Sequence, residues 1–343
     1  MTPPLSRFLW LDIAKGIGII LVVVGHVLLR SEAPGAASIA AFIYLFHMPL
    51  FFILAGMILK PEPLPFYAAR KAIALLLPYG IFLCLLGIPA MIASCGLGIP
   101  IPDLGIDRCP VLLLKLVAGG SLLGGIFGAF WFIPCLLGAL VLAQFVLSLS
   151  GKSHARLLLV GGLLTLVAYA LPALLPQSTA ILSLGIMPMA ALFVLVGYTL
   201  RTRLPLLGGS TLLISAAIAA LTTAIATAFD MKSGRYGIPA LGAAGAVALS
   251  CLLLRLSSSI AGSRLGRLLA ALGKHSLTIL YLHQAVHLGL RHLGFNNDSA
   301  LIALSLLLPV LLHAPLGRLI FAIATAPNAY LFRKSSKALP PLP

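Results

Sequence analysis

Three histidines and four cations stand where an otherwise apolar sequence has least reason to keep them. Lys15 and His26 lie eleven residues apart in a run made mostly of Ile, Val, Leu, Ala and Gly. As a helix, that spacing spans about three turns or ~16 Å and leaves the two side chains only about 20° apart around the axis. Asp12 falls within about 60° of both, so Asp12, Lys15, Gly18, Val22 and His26 form one stripe. A cation stands at one end of the stripe and an imidazole at the other. His47 sits two residues before Pro49, which frees a backbone carbonyl one turn earlier and permits a kink. His283, His287 and Arg291 repeat every four residues and share a face. Arg70-Lys71 and Lys274 complete the set. A neutral imidazole in a low-dielectric cavity can remove a proton from a hydroxyl, or carry a transferred group itself. Clustered cations can hold phosphate.

Each of these residues also has a structural reading. Lys15 can snorkel to headgroups with Asp12 as its partner. His26 can be a buried histidine bonded to a neighbouring helix, and His47 can satisfy the carbonyl that Pro49 frees. Two histidines at i, i+4 suit zinc, but no Cys or carboxylate stands nearby and there is no HExxH, so no metal is expected. His313, next to Ala314-Pro315, reads as structural, and an interfacial aromatic belt accounts for Trp131.

The elements that position these groups must sit in lipid. Hydrophobic residues make up 61% of the 343 and charged residues only 9%, and the mean hydropathy is +1.13. A water-soluble domain carries about a quarter charged residues. Runs of about 20 apolar residues cross a ~30 Å hydrocarbon layer as helices, and no alternation of barrel strands is present. The expectation is an all-α, polytopic transmembrane helix bundle of about ten spans, at residues 10–29, 39–59, 72–94, 130–149, 157–174, 180–200, 211–229, 236–254, 268–290 and 300–324. Residues 95–129 read as a long outer loop with one re-entrant or short helix.

Net charge is +16. With the N-terminus inside, 17 basic residues fall on the inner side and 6 on the outer. That bias fixes an N-in, C-in orientation, and it speaks for membrane lipids and against nucleic acid as the partner of the charge. Residues 1–332 form one domain, with no internal repeat, and 333–343 a short basic, Pro-rich cytoplasmic tail. A signal-peptide reading of the N-terminus competes, but Asp12 and Lys15 would lie within its apolar segment. Cys95 and Cys109 share the outer segment, where an oxidising compartment can join them; reduced thiols are the expectation.

Lys15-x10-His26, the segment from Phe46-His47-Met48-Pro49 to Gly56, Arg70-Lys71 running to Pro78-Tyr79, Phe130-Trp131-Phe132-Ile133-Pro134, and the segment from Leu272-Gly273-Lys274-His275-Ser276 to His283-Gln284 resemble the acyltransferase 3 family, closest in flavour to its fucose 4-O-acetylase-like subgroup. The broad family often has Arg where Lys15 stands, so a planar, bidentate phosphate grip is lost at that position. The resemblance implies a multi-pass enzyme of the cell inner (plasma) membrane. Such an enzyme moves an acyl group, usually acetyl from cytoplasmic acetyl-CoA, to a hydroxyl of a carbohydrate or lipid-linked glycan acceptor. Lys15, Arg70, Lys71 and Lys274 would hold the acyl-CoA phosphates. His26 would be base or acyl carrier, with His47 and His283 as further catalytic candidates. A secondary transporter or exporter of a small polar or lipid-linked substrate is the rival reading; it also suits midplane histidines and Pro-broken helices, but no inverted repeat is visible.

Overall fold

The computed structural model describes residues 9–98, 109–150, 153–174, 178–203, 208–225 and 228–325. The tail at 333–343 and the domain boundary at 332 lie outside them. Because lipid offers backbone groups no hydrogen-bond partner, the chain satisfies them within helices. These are α1 (Leu9–Leu28), α2 (Ala36–Met57), α3 (Leu64–Met91), α4 (Cys109–Ala118), α5 (Phe132–Ser150), α6 (His154–Leu174), α7 (Met187–Arg203), α8 (Gly209–Ala224), α9 (Leu241–Ser259), α10 (Arg264–Lys274), α11 (Ser276–His292) and α12 (Asp298–Thr325). The one sheet among the described residues is a hairpin of β1 (Phe229–Asp230) and β2 (Arg235–Tyr236).

Seven of the described helical stretches are long and apolar enough to cross a membrane, and Leu159–Leu171 and Gly209–Ala224 are shorter apolar helices. The all-α polytopic bundle is therefore observed, and every expected span overlaps a helix. Several boundaries differ: α3 begins at Leu64 where residue 72 is expected, and α7 begins at Met187, after a 3₁₀ segment at Ser178–Ile186, where residue 180 is expected. The span expected at 268–290 is broken at His275 into the amphipathic α10 and the buried α11. The span expected to reach residue 229 stops at Ala224, and the one expected from residue 236 starts at Leu241, because 229–236 folds as the hairpin. Large apolar residues such as Leu163, Leu166, Leu213 and Leu311 remain exposed on α6, α8 and α12, the surface of a bundle whose solvent is lipid.

α1 is the hub, packing against α2, α9, α10, α11 and α12. Its crossing with α10 is close enough to need glycine. A Cβ at Gly16 would overlap the Leu269 carbonyl, and one at Gly273 would overlap the Asp12 carbonyl. Small residues at such a crossing let two backbones approach where lipid provides no hydrophobic drive. This crossing brings Lys15 and Lys274 to one end of the bundle, the basic end. The connectivity puts the α2–α3 turn there too, with Lys60, Arg70 and Lys71.

At the opposite end, Arg291 of α11 pairs with Asp298 of α12 at 2.7 Å and donates to the Val27 carbonyl of α1 at 3.3 Å. Ser31 donates its hydroxyl proton to the same carboxylate. The clamp fixes the C-terminal ends of α1 and α11 side by side, one turn beyond His26 and His287.

In residues 95–129 the expected short helix is α4, followed by 3₁₀ turns at Gly120–Leu122 and Gly125–Phe127. Cys95 is disulfide-bonded, which corrects the expectation of reduced thiols there; the side chain of Cys109 lies outside the described residues.

Candidate active site

The stripe expected on α1 is present. Gly18 and Val22 are buried, and Asp12, Lys15 and His26 are half-buried. A Cβ at Gly18 would meet Leu50 and Phe51 of α2 at 3.1 Å. The Lys15 ammonium donates to Asp12 at 3.1 Å, the pairing the spacing predicts.

At the far end of the stripe, His26 opens on a cavity of about 200 Å³. Five segments wall it. α1 contributes His26 and Arg30, α2 contributes Tyr44, His47 and Met48, and α11 contributes Gln284 and His287. The Gly125–Trp131 segment and the hairpin, with Asp230, Met231 and Lys232, close it. Five rings run in a row beside the cavity, and all but His283 line it. His47 lies 4.8 Å from Tyr44 between centroids, Tyr44 5.8 Å from His26, His26 5.2 Å from His283, and His283 6.3 Å from His287. The three histidines singled out in the sequence therefore come together, with Tyr44 between two of them.

Their hydrogen bonds separate His26 from the rest. His47 Nδ1 donates to the Ile43 carbonyl at 2.8 Å, His283 Nδ1 to those of Ile279 and Leu280 at 2.9 Å, and His287 Nδ1 to that of His283 at 3.1 Å. A carbonyl only accepts, so these three rings carry their proton on Nδ1. His26 Nδ1 faces side chains instead, the Tyr44 hydroxyl at 3.0 Å and the Gln284 amide at 3.2 Å. His47 bonds the carbonyl of its own preceding turn, Ile43, and not the one that Pro49 frees. That corrects the structural reading of its role. His313 behaves as expected, bonding Thr278 at 2.8 Å and meeting the His275 ring at 4.3 Å.

The hairpin is a built wall. Phe229 pairs with Tyr236 and Asp230 with Arg235. Gly234 takes a φ of 66° in the turn, a conformation that favours glycine. The Asp230 carboxylate accepts from the Lys232 amide at 3.0 Å and from the Ser233 hydroxyl. The Tyr169 hydroxyl of α6 donates to the Tyr236 carbonyl at 3.1 Å, tying the hairpin to the bundle. Lys232 folds inward and donates to the Leu123 carbonyl at 2.6 Å. Burial pulls its ammonium down to about 8, with Asp230 acting the other way. It is charged below that value and loses its charge as the pH rises through it. If the charge draws an acceptor oxygen toward the cavity, KM for acceptor rises as the pH passes about 8, and Lys232→Met flattens that rise. A wild-type acceptor KM that is level across the same pH interval would remove Lys232 from acceptor binding.

None of Lys15, Arg70, Lys71 and Lys274 lines the cavity. They stand at the basic end, in separate groups. Lys15 pairs with Asp12 and lies near the α1–α10 crossing, and Lys274 is exposed at the end of α10. Arg70 pairs with Glu62 at 2.6 Å, and both Arg70 and Lys71 lie over the Tyr67 ring at 5.7 Å. Between the two ends the bundle is filled with aromatic side chains, including the stacked Phe82–Tyr281 pair at 4.5 Å and Phe130 against Tyr281 at 4.9 Å.

Sequence reasoning missed Tyr44, Gln284 and Lys232 as cavity residues. Gln284 stands at the end of a segment already singled out, next to His283, and that adjacency was the available signal. Trp131 was assigned to an interfacial belt. It is buried and lines the cavity, whereas a belt residue faces lipid and headgroups.

An all-α multi-pass bundle with an imidazole cavity at one end and a cation-rich opposite end defines a membrane protein equipped for chemistry on a polar substrate. The family comparison names the chemistry. The acyltransferase 3 family model, described as an acyltransferase domain, matches residues 8–327, nearly the whole chain. The protein belongs to that family and is a membrane acyltransferase. Neither a curated protein nor a solved structure matches the chain.

Proposed function

We propose that this acyltransferase is an O-acyltransferase of the inner (plasma) membrane. It takes an acyl group, acetyl in the simplest case, from cytoplasmic acyl-CoA at the basic end. It delivers that group to a hydroxyl of a surface glycan or lipid-linked sugar in the His26 cavity. The observation that carries the reading is the placement of His26. Among the four clustered histidines it is the one whose Nδ1 is not bonded to backbone, and it sits at the opposite end of α1 from Lys15.

In the base form of the reaction, His26 removes the acceptor hydroxyl proton and the oxygen adds to the thioester carbonyl. The C–S bond breaks, and the leaving thiolate takes the proton back from the imidazolium. In the carrier form, the imidazole nitrogen attacks the thioester and thiolate leaves; the acceptor hydroxyl oxygen then displaces neutral imidazole from the acyl carbon, and the hydroxyl proton passes to the thiolate. A thioester is already activated, so neither form needs a Ser-His-Asp arrangement. His283 packs behind His26 at 5.2 Å, outside the cavity lining, and His47 packs against Tyr44 at 4.8 Å. Lys15, Arg70, Lys71 and Lys274 supply cations for the CoA phosphates. The inside assignment of the basic end rests on the bias of basic residues. The transporter reading finds no support in the family.

The experiment is mass spectrometry of surface glycans from cells with and without the protein. Loss of one O-acyl substituent, restored by the wild-type chain and not by His26→Ala, is the expected result. An unchanged glycan acylation pattern together with no thioester consumption by the purified protein would overturn the proposal.

A further inference from the structure

His26 can act as a base through Nε2 only if Nδ1 holds its proton, and Nδ1 then needs an acceptor. His47, His283 and His287 each find that acceptor in their own helix. His26 finds two side chains instead, the Tyr44 hydroxyl at 3.0 Å and the Gln284 amide, 258 residues away in sequence; the hydroxyl can donate or accept, so it leaves the tautomer open, whereas an amide oxygen only accepts. The amide nitrogen of Gln284 lies 3.2 Å from Nδ1 and 3.4 Å from Nε2. Its amide oxygen is buried and meets no donor. A buried carbonyl oxygen without a donor costs about 1–3 kcal/mol. An amide has nearly the same shape in either orientation about its last torsion. A half-turn brings the orphaned oxygen to the Nδ1 proton and pairs both groups at once.

The amide has little other freedom. Gln284 is buried, and Gly128, in the turn after Gly125–Phe127, lies directly against it. A Cβ at Gly128 would come within 3.0 Å of the amide nitrogen and overlap the oxygen. Glycine is thus the residue that permits this close approach.

We infer that Gln284 is a positioning residue. Its amide oxygen accepts the Nδ1 proton of His26, fixes the tautomer and leaves the Nε2 lone pair for chemistry, while Gly128 holds the amide in place. This inference rests on the reading of His26 as the base. Holding an imidazole in the wrong tautomer costs orders of magnitude in turnover in other His-dependent sites.

The test compares Gln284→Met with Gln284→Glu, each normalised to folded protein. Met keeps the shape and removes the acceptor, so kcat should fall about a hundredfold or more while the donor KM stays within about threefold. Glu keeps an acceptor oxygen at the same place and should recover kcat to within about tenfold of wild type. Gly128→Ala should act like Met, by displacing the amide. Wild-type kcat in Gln284→Met, or a folded Gln284→Glu as damaged as Met, overturns the inference. A readout independent of the variants' folding is the ¹⁵N spectrum of His26 in the wild-type protein, assigned by its loss in His26→Ala. A protonated Nδ1 with a bare Nε2 is expected, and the opposite pattern overturns it. If His26→Ala itself kept full activity, the base assignment would fall; if His26→Ala is inactive while Gln284→Met is wild type, only the role of Gln284 falls.

Discussion

His26→Ala should reduce acyl transfer by about two to four decades, the range that a positioned general base contributes, while the protein still inserts and purifies. The loss should be complete if the imidazole is the acyl carrier, since no other group then holds the intermediate. The folded structure should tolerate the change. His26 is half-buried at the edge of a cavity, and its polar partners are Tyr44 and Gln284, both of which also line that cavity. His47→Ala should cost less, because His47 reaches His26 only through the Tyr44 ring. Wild-type turnover in His26→Ala would shift the role to His283 or His47. A transfer assay on purified variants, with folded amounts matched by size-exclusion profile, decides between these outcomes.

The second large effect concerns the basic end. A charge-assisted hydrogen bond to phosphate contributes roughly 1.5–3 kcal/mol, or about one to two decades in affinity. Lys15→Gln should therefore raise KM for acyl-CoA by that factor with little change in KM for acceptor. Lys15→Arg should restore it, since a guanidinium keeps the charge and adds a fork of donors. The Asp12 contact at 3.1 Å refines the expectation. Asp12 orients the ammonium and also shares its charge, so Asp12→Asn should leave donor KM level or lower it. The competing role, an anchor that snorkels to lipid phosphates, predicts less inserted protein and unchanged kinetics in the molecules that remain. Donor KM per folded molecule separates the two, and an unchanged value in Lys15→Gln would leave Lys15 a topology anchor.

Much of the fold was legible because lipid is an exacting solvent. It permits few charges and forces backbone groups into helices, so apolar length alone located every helix that overlaps an expected span. Where the signal failed, a local feature competed with hydropathy. The apolar run of α8 continues through Ile225 toward Phe229, and the turn chemistry of Asp230 and Gly234 marks the hairpin only weakly. The break at His275 follows Gly273, whose missing side chain serves the crossing with α1, a reason that no single helix displays. Within the site, Lys15, His26, His47 and His283 announced themselves because an ionisable group within a span costs about 2.5–3.5 kcal/mol on insertion scales.

Tyr44, Gln284 and Trp131 did not stand out, because tyrosine, glutamine and tryptophan are tolerated in many places in a membrane helix. Their meaning depends on which ring they meet across the bundle. Lys232 lies between two expected spans, where a cation calls for no explanation, and only the inward fold of the hairpin makes it part of a cavity. The sequence also grouped Lys15, Arg70, Lys71 and Lys274 by charge alone. The structure sets them at one end but in separate groups: Lys15 on Asp12, Arg70 and Lys71 over the Tyr67 ring, and Lys274 exposed at the end of α10.

The most direct measurement of the central claim uses purified protein in sealed proteoliposomes of known orientation, with acyl-labelled acyl-CoA supplied on the side that the basic end faces and a glycan acceptor on the other. The account predicts that label appears in ester linkage on the acceptor, only with the donor on that side and only when His26 is intact. Label transferred equally by His26→Ala, or acceptor that crosses the membrane without gaining an acyl group, would contradict it.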